Sequence, residues 1–142
     1  MIKVAVIMPG EMGDAADLLV DVRALEAAGA EMIGLEGDGI EQRILLGAIA
    51  AVTHRIKLLL PDVEVEPILQ RLSRGRSAVG HPVDETWISI PMPADRESWA
   101  ATMRDQEAAG VTGVIVPWDP RLIDLLRNPE PEDRSDLLMS TG

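Results

Sequence analysis

The sequence predicts an α/β protein, built of βα repeats around a mainly parallel sheet. Three observations carry that expectation. Apolar runs of strand length alternate with segments of helical spacing. The breaks between them fall on Gly or Pro, and one helix–Gly–strand unit occurs twice. Residues 25–39 read LEAAGAEMIGLEGDG and residues 106–120 read QEAAGVTGVIVPWDP, with Glu, Ala, Ala, Gly and a later Asp at one fixed offset.

The elements follow in order. Residues 3–8 form an unbroken apolar run after Lys3, as expected of a strand covered on both faces, and Pro9-Gly10 stop it. Asp14 is placed to cap a helix over 15–28, where Leu18, Leu19, Val22 and Leu25 share one face. Gly29 ends that helix by taking a left-handed conformation cheaply. A second strand is expected over 32–36, a turn over 37–39, a helix over 41–53, and a third strand over 56–60 before Pro61. This β-α-β-α-β order implies parallel pairing through right-handed crossovers. A short helix over 67–73, a weak strand over 77–80 and a better one over 86–90 come next. Asp95 caps a helix reaching about residue 109, Gly110 ends it, and 113–117 is the last strand. Asp119-Pro120 then has the pattern of an N-cap followed by Pro at the first helical position, for a helix to Arg127.

At 142 residues with 46% apolar content, the chain suits one domain, expected over 1–127, with an acidic, Pro-rich tail over 128–142. The tail carries one apolar patch, Leu137-Leu138-Met139, suited to docking. Without Cys there are no disulfides, thiolate nucleophiles or zinc clusters of the Cys type, which fits a cytoplasmic protein. The first apolar run is too short for a signal peptide or a membrane span. A net charge of −11 disfavours nucleic acid and anionic lipid as partners; only Arg71, Arg74 and Arg76 are locally basic.

In βα folds the loops that leave the strands share one end of the sheet, so a small-molecule site is expected there. Residues 34–39 leave a strand and enter a helix, a place where backbone N–H groups can hold an anion. The spacing is not that of a dinucleotide loop, and Glu36 and Asp38 repel phosphate, so a tight turn capped by Asp38 or Gly39 is the simpler reading. Glu36, Asp38, Asp62 and Asp119 all follow strands; they are candidates for acid–base work or, singly, for caps and solvated turns. His54 suits a helix C-terminus. His81, after Gly80 at a strand end, is the better proton carrier but has no evident triad partner, and the two His make no metal site. Trp118 is placed either to stack on a flat ring or to fill the core.

Residues 24–35 (ALEAAGAEMIGL) and 48–58 (AIAAVTHRIKL) resemble the opening of luciferase-like monooxygenases. Residues 72–76 (LSRGR), followed by Val79-Gly80, are similar to that family's Leu-Ser-Gly-Gly-Arg … Gly-Val-Gly segment. The likeness covers roughly residues 1–80. It implies a (β/α)8, or TIM-type, barrel that binds FMN or the deazaflavin F420 at the C-terminal strand ends and oxidises or reduces small organic molecules. It implies such a site near Pro9, Asp38, Pro61 and His81; the catalytic candidates are then His81 and Asp38, and the cofactor-binding candidates Pro9, Asp38, Pro61, Gly80 and Trp118. Two departures qualify the transfer. Such a barrel takes about 250 residues, so this chain supplies only five or six βα units. Where many members carry a His after the second strand, Asp38-Gly39 stands here. The expectation is therefore a shortened or incomplete barrel, with an open flavodoxin-like sheet as the alternative. Function divides likewise, between an FMN- or F420-dependent oxidoreductase and a non-catalytic barrel, with no cofactor, acting as a binding or assembly module. Exposed strand edges would favour a homo-oligomer, commonly a dimer.

Overall fold

The computed structural model describes residues 1–10, 13–60 and 66–128. Pro61, Asp62 and the acidic tail with its Leu-Leu-Met patch lie outside the described residues. The elements run β1 (Lys3–Met8), α1 (Ala15–Ala28), β2 (Met32–Leu35), α2 (Ile40–Val52), β3 (Lys57–Leu60), α3 (Pro67–Leu72), β4 (Ser77–Val79), β5 (Trp87–Ser89), α4 (Arg96–Ala108), β6 (Gly113–Pro117) and α5 (Leu122–Arg127). The expected order of elements holds, with β4 and β5 following each other without a helix between them.

All pairings are parallel, and the sheet order is β4-β3-β2-β1-β6-β5. Sequence neighbours pair in turn, and the first strand pairs with the last, as in a barrel. Between β4 and β5 the ring stays open. The sheet is thus an open one whose strands run in barrel order. Right-handed crossovers that always step the same way around a sheet put their helices on one face. The packing agrees. Val4, Val6 and Met8 of β1, Ile33 and Leu35 of β2, Leu58 and Leu60 of β3, and Val114 and Val116 of β6 pack with residues of all five helices in the main core. The alternate residues face the other way, where Ala5, Met32 and Trp87 form a separate small cluster with Leu59 and Ile115.

The repeat seen in the sequence is one structural unit used twice. Gly29 (φ 104°) and Gly110 (φ 83°) both turn left-handed after a helix and lead into β2 and β6. Asp14 caps α1 through the Ala16 N–H (2.8 Å), and Asp95 caps α4 through the Ser98 N–H (2.7 Å). One start differs from expectation. The Asp119-Pro120 pair opens a turn, and α5 begins only at Leu122. Asp119 Oδ1 accepts from the Arg121 N–H (2.8 Å), its carbonyl accepts from Leu122 N–H, and the Arg121 guanidinium grips the same carboxylate. The side chain therefore caps a turn rather than a first helical turn.

Two charged groups fasten helix ends to strand starts. The Glu26 carboxylate, near the end of α1, accepts from the N–H groups of His54 (2.9 Å), Arg55 (2.7 Å) and Ile56 (2.8 Å) on the way into β3. The Arg76 guanidinium donates to carbonyls of Ser73, Ile56, Ala50 and Thr53 and to Thr53 Oγ1, closing the end of α2 against the start of β4. The second Arg of the Leu-Ser-Arg-Gly-Arg segment, Arg76, is thus a structural clasp.

Candidate functional site

The strand ends bring Pro9, Asp38, Gly80, His81 and Trp118 to one end of the sheet, as parallel pairing requires. Their surroundings then separate them. Pro9 and Asp38 are exposed. Trp118 is half-buried and packs against the main, helix-side core, with its backbone N–H donating to Ile7 O (2.9 Å). Its ring belongs to the packing. The loop over 34–39 is closed by a residue that sequence reasoning passed over. Gln42 lies against Gly37 and Gly39, within 3.3 Å and 2.9 Å of where Cβ atoms would stand, and its Nε2 donates to Gly10 O (3.3 Å). Gly39 is the N-cap of α2 and makes no side-chain cap. The turn reading describes this loop, and Gln42 fills the space over it.

His81 and Gly80 go elsewhere. Gly80 turns left-handed (φ 67°) at the end of β4, and His81 comes to the concave face of the sheet. There it lines a cleft of about 180 Å³ with Ala5, Met32, Leu59, Trp87 and Ile115. A second cleft of about 360 Å³ shares Met32, Leu59, Gly80 and His81 and continues to Arg55 and Lys57. The two form one trough, apolar along its floor and basic at one end.

The His81 and Trp87 rings face each other, with centroids 6.4 Å apart and planes inclined by 29°. Trp87 owes its place to two features. Gly113 lies opposite it in the register, and a Cβ there would fall 2.4 Å from the indole ring, so only Gly leaves room. Glu85 holds the other side: Oε1 accepts from Trp87 Nε1 (3.0 Å) and Oε2 from Lys3 Nζ (3.1 Å). The indole N–H first, then Lys3, hold the Glu85 carboxyl below the usual carboxylate range. Glu31 joins Lys57 (3.5 Å) and Lys3 (4.0 Å), so alternating charges line the lower end of the concave face. Scarce aromatics and the strand-length run over residues 86–90 were the available signals for Trp87. Its partner Gly113 needs the strand order, which no single segment encodes.

Among the described residues no group of three or more His, Asp or Glu is placed to hold a metal ion. No described helix is long and apolar enough to cross a membrane. The fold defines an α/β protein with a curled, six-stranded, all-parallel sheet. No family model and no curated protein matches this chain.

Proposed function

We propose that this chain is a shortened βα barrel that works as a binding module, holding a small planar, anionic molecule in the concave trough without turning it over. The observation that carries this reading is the trough itself: an apolar floor of Met32, Leu59 and Ile115, a ring wall of His81 and Trp87, and, at one end, Arg55 and Lys57, the lysine in an ion pair with Glu31. A flat ring buries its faces on such a floor, while its anionic substituent is drawn to the basic end. The likeness to luciferase-like proteins points to FMN or F420 as the ring, and the residues of the trough suit that class. Bound, either ring would supply hydride chemistry. This chain's own residues bind and orient it; of the acid–base candidates, His81 lines the trough and Asp38 does not.

Titration with FMN and F420, followed by tryptophan fluorescence, tests the proposal. Saturable quenching at micromolar ligand is expected. His81→Ala, at an exposed position, should weaken binding roughly fivefold, the equivalent of the ~1 kcal/mol an aromatic pair contributes. Folded protein that quenches with neither ligand would remove the binding reading. Steady oxidation or reduction of a bound ring with added small organic substrates would replace the module with an enzyme.

A further inference from the structure

We infer that Leu137, Leu138 and Met139 seat in a groove on the helix face of the sheet, which α5 is too short to cover. The helices α1, α2 and α4 run for 13 or 14 residues, whereas α5 has six. Six helical residues rise about 9 Å, against about 20 Å for the six residues of β1. Leu122 and Leu125 of α5 pack with β1 and β6 in the main core. Beyond them, past Leu126, lies a groove of about 410 Å³ between α1 and α4. Ile2 and Val4 lead into β1 along it, Gly29 ends α1 on one side, and Trp99 and Met103 of α4 form the other. Ile2, Met103 and Leu126 are only half-buried there. The groove is thus the part of the β1–β6 pair that a helix of ordinary length would cover.

Connectivity and chemistry both name the chain's own C-terminal segment as the occupant. The chain leaves α5 at Asn128, two residues past Leu126, and eight residues separate Asn128 from Leu137. Such a stretch reaches up to about 25–30 Å, enough for any point of the groove. Among residues 129–142, Leu137, Leu138 and Met139 are the only large apolar side chains, suited to a lining of Ile, Val, Trp and Met. Tethering holds this segment at an effective concentration in the millimolar range, ahead of a free molecule of similar chemistry. Charge agrees. Residues 129–136 carry Glu130, Glu132, Asp133 and Asp136 against Arg134 alone. Arg127, at the end of α5, and Arg104, on the α4 side of the groove, offer these carboxylates opposite charges.

The chain contains no Cys, so a pair of introduced cysteines reports proximity without background. The full chain carrying Met103→Cys and Met139→Cys, mildly oxidised at low concentration, should close an intramolecular disulfide. The control pairs Met139→Cys with Asp105→Cys, an exposed position two residues on and so on the opposite side of α4. Because the bond needs Cβ atoms about 4 Å apart, the groove pair should close roughly tenfold faster than the control. Changing Leu137 and Leu138 to Ser should bring the groove pair down to the control rate. In the Cys-free chain the same two Ser changes should lower the melting temperature by roughly 5 °C, with the far-ultraviolet dichroism of the wild type. That measurement leaves Met103 in place, so it decides the matter where the cysteine at 103 disturbs the fold. Equal closure rates for the two pairs overturn the inference, as does a melting temperature that the Ser changes leave unmoved. Disulfide-linked dimers in place of closed monomers also overturn it, since the segment then fills a neighbour's groove.

Discussion

Glu26 offers the sharpest test of how the fold is held. Its carboxylate accepts from three successive N–H groups that lead from the end of α2 into β3. Two of these, on exposed His54 and Arg55, recover hydration when the acceptor is removed. The third belongs to Ile56, which is 1% exposed and cannot. An unpaired buried donor costs about 1–3 kcal/mol and a charge-assisted bond contributes about 1.5–3 kcal/mol. Glu26→Ala is therefore expected to cost about 2–3 kcal/mol, or roughly 10 °C in melting temperature for a domain of this size. Glu26→Gln, which keeps one acceptor oxygen and the shape, should cost about half as much. The pH dependence separates charge from packing. Desolvation pushes this carboxyl up, but the N–H groups of Ile56, Arg55 and His54 together outweigh it, and the folded-state pKa lies below the ordinary 4.5. A depressed pKa adds stability above the unfolded-state value, and that stability is lost as pH falls through the folded-state value. The gap between wild type and Glu26→Gln should then be constant from pH 6 to 8 and shrink below about pH 4.5. Urea melts followed by circular dichroism at neutral and acid pH measure it. A gap unchanged in acid, or Glu26→Ala within about 0.5 kcal/mol of wild type, would refute the reasoning.

Two further substitutions probe the clasp and the concave face. Arg76→Lys keeps the charge but cannot reach five acceptors at once, so a loss of about 2 kcal/mol is expected by thermal melting; a loss below about 0.5 kcal/mol would show that the fork geometry is unimportant. Gly113→Ala forces the Trp87 ring aside, which should cost about 1–3 kcal/mol and alter the near-ultraviolet dichroism. An unchanged spectrum and melting temperature would mean that the indole does not rest on Gly113.

The parts of the fold legible in the sequence are those written locally. Most strands are short apolar runs closed by Gly or Pro, and α1 and α4 each have a capping Asp and a stopping Gly. Asp14, Gly29, Asp95 and Gly110 act where the pattern places them. The Asp119-Pro120 signal marked a real turn, yet could not say that Arg121 would bind back to Asp119 and delay the helix to Leu122. The candidate site was legible only at its edge. His81 followed from a strand-end position, but its neighbours Met32, Trp87 and Ile115 come from separate strands and meet through register. Gln42 reads as one polar residue on a helix; only the closing of residues 10 and 37–39 around it shows what it fills.

The shortening and the trough have one cause. β4 and β5 are parallel and lie at opposite edges of the sheet, so the chain must travel from the C-terminal end of one to the N-terminal end of the other. A helical crossover normally takes a dozen or more residues, and residues 80–86 are fewer. The chain instead turns at Gly80 and crosses the concave side, where His81 and Pro82 line the larger cleft and Glu85 reaches Lys3 on central β1. This short crossing brings His81 against Trp87 and ties the indole down through Glu85. It also covers part of what a full barrel would leave as interior, while the two free edges stay three residues long and offer little to pair with. With its edges blunted, the sheet does not require a second copy to close it.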